Sequence, residues 1–249
     1  VLFNTGSLLV LSNNNALGTG NAIVAPQGTL GVNTGVTITN NFTLQNGGMI
    51  AGYGTFAPAA PENLLIENGT TIAGGGGTSG MFSNGVLKPI PGTLTLSATA
   101  TLLIGPNGIV QFSMDNSSGI AGTDYSAINT AGTLELNTTG SLNPVTIQLI
   151  SVADSGNRQA GVATFNNTLA ASWVLISSAG ITGTFEPNAY IVDSTTLGQG
   201  SFSGGIFNVT ESGNDLMLNF TPVPEPSTWA MMGSGILALG AAVRRRRRR

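Results

Sequence analysis

The chain of 249 residues contains neither cysteine nor histidine. Without cysteine there is no disulfide and no thiolate metal site, so packing and backbone ladders must hold the fold. Without histidine there is no Ser-His-Asp arrangement, no imidazole base and no histidine metal ligand. Charge is also scarce, at 8% of residues, and six of the eight basic residues are Arg244-Arg245-Arg246-Arg247-Arg248-Arg249. Ahead of Val223 only Lys88 and Arg158 stand against ten acidic residues, a balance of −8. Nucleic-acid binding requires clustered Lys or Arg to displace phosphate counterions, and the body has no such cluster, so a nucleic-acid partner is set aside.

What the chain does have is a near-ordinary hydrophobic fraction of 41%, with 36 glycines and 11 prolines. Those breakers disfavour long helices, while the apolar fraction is enough for a core. Apolar residues recur at period two in Thr93-Leu94-Thr95-Leu96, Thr133-Leu134-Glu135-Leu136, Val145-Thr146-Ile147-Gln148-Leu149 and Asp215-Leu216-Met217-Leu218-Asn219-Phe220. Such alternation predicts half-buried strands. Turn clusters separate them at Asn13-Asn14-Asn15, Asn46-Gly47-Gly48, Gly74 to Gly77, Pro106-Asn107-Gly108 and Asn116 to Gly119. No stretch before residue 228 keeps a helical period for three turns, so the expectation is an all-β body. Val1 to Leu11 reads as strand and opens in mid-pattern, with no Met, basic or apolar leader; the expectation is that the given sequence is a piece of a longer chain.

A phrase of Gly-Thr followed by Leu or Phe begins at Gly28, Gly54, Gly92, Gly132 and Gly183, at irregular intervals. Repeats of roughly 20 to 50 residues are the signature of solenoids, in which each unit buries its apolar face against its neighbours. In a chain this rich in Gly and Thr the dipeptide also recurs by chance. The stretch Leu8-Leu9-Val10-Leu11-Ser12-Asn13-Asn14-Asn15-Ala16-Leu17-Gly18-Thr19-Gly20, with Gly28-Thr29-Leu30 and Asn41-Phe42-Thr43-Leu44, resembles the autotransporter-associated β-strand repeat. The resemblance implies a right-handed parallel β-helix for residues 1–90, continuing through 91–221 or giving way there to a capping β region. The boundary falls near Gly74 to Gly80 and Lys88-Pro89-Ile90-Pro91. The stretch between Ala153 and Trp173 alternates least and is expected to carry a longer loop. With 6% aromatics the chain does not supply the girdles of a membrane β-barrel.

Residues 222–249 are of another kind. Thr221-Pro222-Val223-Pro224-Glu225-Pro226-Ser227 holds three prolines, which remove donors and keep the backbone extended. Then follows an uncharged run, Trp229-Ala230-Met231-Met232-Gly233-Ser234-Gly235-Ile236-Leu237-Ala238-Leu239-Gly240-Ala241-Ala242-Val243. As a helix its 15 residues would be about 22 Å long, short of a ~30 Å hydrocarbon core, which suits a transient single transmembrane helix. Trp229 stands where an interfacial aromatic belongs, and the arginines favour the cytoplasmic side, which puts the β body outside. Pro224-Glu225-Pro226, an apolar span and a terminal basic cluster together resemble the PEP-CTERM sorting signal of Gram-negative, exopolysaccharide-producing bacteria. That resemblance implies an exosortase-type processing enzyme as partner, with Pro224, Glu225 and Pro226 as recognition triplet and Arg244 to Arg249 as retention signal. The chain would be held at the inner membrane before processing and then pass to the cell surface or matrix.

Asp115, Asp124, Glu135, Asp154, Glu186, Asp193 and Asp215 offer carboxylates to a polysaccharide lyase or hydrolase, and Lys88 or Arg158 the cation a lyase needs. No two acids are placed by the pattern on one face of neighbouring strands. Asp115 to Asp124 is oxygen-rich but matches no calcium-loop spacing, and reads as a turn. Gly74 to Gly77 lacks the context of a phosphate loop and reads as a linker. The expectation is therefore a non-enzymatic structural or adhesive protein with no catalytic residue, cofactor or metal, whose partners are the exosortase, transiently the membrane, and exopolysaccharide. A surface carbohydrate-active enzyme on the same scaffold is the alternative.

Overall fold

The computed structural model describes residues 2–3, 7–58, 61–76, 81–83, 86–88, 90–138, 142–153, 163–195 and 204–223. The chain opens with β1 (Leu2–Phe3), β2 (Leu8–Leu11), β3 (Ala22–Val24), β4 (Thr29–Val32) and β5 (Thr37–Ile38). Then come β6 (Phe42–Leu44), β7 (Met49–Gly52) and β8 (Thr55–Phe56), followed by β9 (Glu62–Ile66) and β10 (Thr71–Gly74). A hairpin, β11 (Met81–Ser83) and β12 (Val86–Lys88), precedes β13 (Thr93–Leu96). The next strands are β14 (Ala100–Ile104), β15 (Ile109–Met114), β16 (Ala127–Thr130), β17 (Thr133–Leu136), β18 (Val145–Ser151) and β19 (Ala171–Ser177). The described body closes with β20 (Gly180–Gly183), β21 (Tyr190–Asp193), β22 (Gly205–Ser212) and β23 (Asp215–Pro222).

These strands form an all-β body of mainly parallel sheets. One sheet runs β2-β4-β7-β10-β15-β18-β21, a second β22-β23-β19-β16-β13-β8-β5, and the remaining positions are filled by β1-β3-β6 and β20-β17-β14-β9. From β6 onward the chain visits these positions in rotation: β6, β7, β8; β9, β10, β13; β14, β15, β16; β17, β18, β19. Parallel neighbours cannot be joined by a two-residue turn, and here each crossover is made by strands of the other sheets. Strands on either side of residue 91 pair directly, β8 with β13, β9 with β14 and β10 with β15.

In-register pairing turns the period-two pattern into columns. Leu9, Leu30, Ile50, Ile72, Val110, Ile147 and Val192 are successive partners across seven strands. Leu30, Ile50, Ile72 and Ile147 are wholly buried. Each such side chain removed from water contributes about 1.5–3 kcal/mol, and the inward columns merge into one core, while Met49, Ala51 and Ala73 form a small separate cluster. At the C-terminal end the pairing changes: β19 pairs antiparallel with β23, and β23 with β22. Trp173 joins that hairpin to the stack, its indole N–H donating to the Ser117 carbonyl at 2.9 Å while its ring lies 6.0 Å from Phe165 and 6.4 Å from Phe112. Phe220 packs on Phe165 and Phe207 at 4.8 and 4.9 Å.

The Gly-Thr phrases do not stack on one another. Gly28 leads into β4, Gly54 into β8, Gly92 into β13 and Gly132 into β17, while Gly183 ends β20; β8 and β13 are neighbours, as are β17 and β20, but the phrases are out of step, Thr55 facing Thr95 and Gly183 facing Leu136. What recurs in space is a tight turn, closed by Gly28 N–H to Ala25 O, Gly48 to Gln45, Thr70 to Glu67 and Gly108 to Gly105. Gln27, Asn68 and Asn107 there adopt positive φ of 60°, 52° and 58°. Gly74 and Gly75 are also not a linker. Gly74 is the last residue of β10 and Gly75 bridges Gly52, with its own φ at +78° and the backbone of Ile90 to Gly92 where a Cβ would stand. Between Ala153 and Trp173 the described residues 163–170 contain no strand.

Candidate functional site

The acids considered for catalysis are scattered. Asp115 follows β15 and is buried, its N–H donating to the Asp124 carbonyl at 2.8 Å. The Asp124 carboxylate accepts from Ile120 N–H at 2.7 Å. The segment between them is thus a turn closed at Asp115 and Asp124 and bridged to Thr164, whose carbonyl accepts the Ser117 N–H at 2.9 Å. Asp193 accepts from the N–H and hydroxyl of Thr195, at 2.9 and 2.6 Å, and Asp215 opens β23 opposite Ser177 and Ser212. Glu135 lies mid-β17 between Leu103 and Thr182. Glu186 precedes the short turn of helix at Pro187–Ala189. Asp154 and Arg158 lie outside the described residues, and Lys88 ends β12. Sequence spacing brought Asp115 and Asp124 together only as ends of one turn, and the structure does the same. Among the described residues no group of three or more acidic side chains is placed to hold a metal ion.

Among the described residues, burial perturbs Glu62 and Tyr190. Burial raises the Glu62 carboxyl, partly offset by the Phe42 N–H it accepts at 3.0 Å. Burial pushes the Tyr190 phenol up to about 12, a contact with Thr138 lowers it and the Glu211 charge raises it again. Through Phe42, Glu62 ties β9 to β6.

A shallow groove of about 510 Å3 lies on the outer side of the C-terminal antiparallel strands. It is lined by Ser172 of β19, Asn208 and Thr210 of β22, and Asn219 and Thr221 of β23. The Ser172 hydroxyl donates to the Asn219 amide oxygen at 2.6 Å, and the Asn219 amide donates to the Thr210 hydroxyl at 2.8 Å. Among the described residues no charged side chain lines it. The only sequence signal is the alternation Asn208-Val209-Thr210 against Leu218-Asn219-Phe220, which sends amides and hydroxyls outward and apolar residues inward.

The tail leaves from this same sheet. β23 ends at Pro222, which pairs with Gly205, and Val223 N–H donates to Gly204 O at 2.8 Å. Pro224, Glu225 and Pro226, the run from Trp229 to Val243 and Arg244 to Arg249 lie outside the described residues. Among the described residues no helix is long and apolar enough to cross a membrane.

Residues 222–248 match the family described as the PEP-CTERM protein-sorting motif. The match begins at the last residue of β23 and takes in the Pro-Glu-Pro triplet, the apolar run and all but the last arginine. Such a signal implies export, passage to a membrane and processing by an exosortase. No curated protein and no solved structure matches the chain.

Proposed function

We propose that this chain is an exported, non-enzymatic surface or matrix protein, whose body is a right-handed parallel β-helix with a structural or adhesive role and whose tail is removed by an exosortase. The observation that carries the reading is the sorting-motif match at residues 222–248. The rotating order of strands, their in-register columns and the likeness of residues 8–44 to the autotransporter-associated repeat support the β-helix. Pairing of β8 with β13 and β9 with β14 supports a body that continues across residue 91. Carboxylates that lie apart, with Asp124 and Asp193 engaged in their own turns, favour a structural body over a lyase or hydrolase on the same scaffold.

In this reading the uncharged run from Trp229 to Val243 is a single transmembrane helix that anchors the chain at the inner membrane until Pro224-Glu225-Pro226 is recognised. Arg244 to Arg249 keep its end in the cytoplasm. The body then reaches the cell surface or the surrounding exopolysaccharide. Replacing Pro224, Glu225 and Pro226 by alanine is expected to leave a full-length, membrane-retained protein, read by mass and fractionation. Unchanged trimming and release would overturn the assignment.

A further inference from the structure

The sorting signal starts inside the folded sheet. Pro222, the first residue of the match, is still paired with Gly205, and Val223 is still bonded to Gly204. From Val223 to Pro226 the chain has three residues, and at about 3.3–3.6 Å each they reach at most ~11 Å. An enzyme that grips Pro224 to Pro226 therefore works with the β22–β23 hairpin within that distance. No flexible spacer separates the signal from the body, so the enzyme meets the outer face of this hairpin whenever it meets the signal.

That face combines exposed apolar side chains with uncharged polar ones. In an antiparallel pair, partners share a face, so Ile206 lies beside Thr221, and Val223 follows on the same side. Ile206 is 64% exposed and Val223 52%. Asn208 and Thr210 continue the same face along β22, and the uncharged groove runs beside them. Interface cores are depleted of charge and keep exposed apolar anchors. The hairpin beneath is rigidly held, with Phe207 and Phe220 packed at 4.9 Å.

Resting on the reading of the tail as an exosortase signal, we infer that the outer face of the β22–β23 hairpin, anchored by Ile206, is a second docking surface for the processing enzyme. Recognition then extends beyond the linear motif to the last sheet of the body. The proximity forced by the chain favours this occupant over a lipid surface, because Trp229, which begins the apolar run, lies three residues beyond Pro226.

The test is a cycle of variants of the full chain expressed with its processing enzyme, following the rate of tail removal by mass. Ile206→Ser is expected to slow removal by roughly fivefold or more, the scale of one anchoring side chain, and Ile206→Val to restore most of the rate. Thermal unfolding of Ile206→Ser must match the wild type, as expected for a side chain so exposed. A ten-residue Gly-Ser insert between Val223 and Pro224 moves the hairpin away; in that background Ile206→Ser should have no further effect. Wild-type rates for Ile206→Ser would overturn the docking surface, as would an equal slowing with and without the insert. A wild-type chain that is never trimmed would instead overturn the reading of the tail itself.

Discussion

The Glu62 carboxylate accepts the backbone N–H of Phe42 at 3.0 Å, at the step where the β1-β3-β6 sheet ends and the β9-β14-β17-β20 sheet begins. A side chain takes the place of the strand-to-strand bond missing between β6 and β9. Phe42 itself is buried and meets Phe56 edge-on at 4.8 Å, so the seam joins two faces of the core. Glu62→Ala leaves a buried donor unpaired and should cost about 1–3 kcal/mol in urea unfolding.

Burial at the same position sets a pH dependence. Burial raises the Glu62 carboxyl above its ordinary 4.5, so over a window starting there and extending upward the folded chain holds a proton the unfolded chain has released. The group's contribution to stability is complete below the window and declines as pH rises through the folded value. Glu62→Gln has no such titration and keeps an acceptor for Phe42. Its stability relative to wild type should therefore improve from acid to neutral pH. A difference that stays flat, or that grows on acidification, would contradict the assigned direction.

Ile72 occupies the middle of the longest column, between Ile50 and Val110, with no exposure at all. Ile72→Ala should cost about 2–5 kcal/mol, since stacked strands on both sides prevent collapse into the space. An equilibrium denaturation midpoint within error of wild type would show that the column does not carry the core.

Gly52 and Gly18 separate two uses of positive φ. At Gly52, φ is +143° and the Val32 backbone fills the place of a Cβ; at Gly18, φ is +65° with open space around it. Gly18→Ala should lose roughly 1 kcal/mol from backbone strain alone, while Gly52→Ala should exceed the 1–3 kcal/mol that strain explains, because the strand backbones must part. Comparable thermal shifts for the two would refute the distinction.

Trp173 tests the closure of the C-terminal end. Trp173→Phe keeps a ring in the aromatic cluster but strips the Ser117 carbonyl of its donor, at an expected cost of about 1–3 kcal/mol by chemical denaturation. Loss of fluorescence change at Trp173 before global unfolding, in a chain carrying Trp229→Phe, would show that the hairpin opens independently.

Much of the body was legible because its information is local. Thr93 to Leu96, Thr133 to Leu136, Val145 to Leu149 and Asp215 to Phe220 alternate and are strands. The turns at Asn46-Gly47-Gly48 and Pro106-Asn107-Gly108 follow from residues that tolerate positive φ. Two- and three-residue strands such as β5 and β3 escaped notice, because a period of two needs several residues to declare itself. Gly74 and Gly75 misled for a physical reason: a glycine that permits close backbone approach and one that loosens a linker are the same letter. The groove of Ser172, Asn208, Thr210 and Asn219 is assembled from three strands and had no contiguous signal. The tail was legible because its signal is linear, and its attachment to β23 was not, because pairing with Gly205 is a property of the fold.

The detour that leaves β10 and returns at β13 ends where it began, for Gly76 N–H reaches Ile90 O at 3.0 Å and Tyr53 adds its hydroxyl to the same carbonyl at 3.1 Å. Register on the far side is undisturbed, Leu96 meeting Phe56 and Leu102 meeting Leu64. The stacked sheets thus have a built-in splice point with its two ends already clasped. Foreign sequence grafted there would meet little added closure entropy as it lengthened, leaving the cargo free to vary while the frame stays constant.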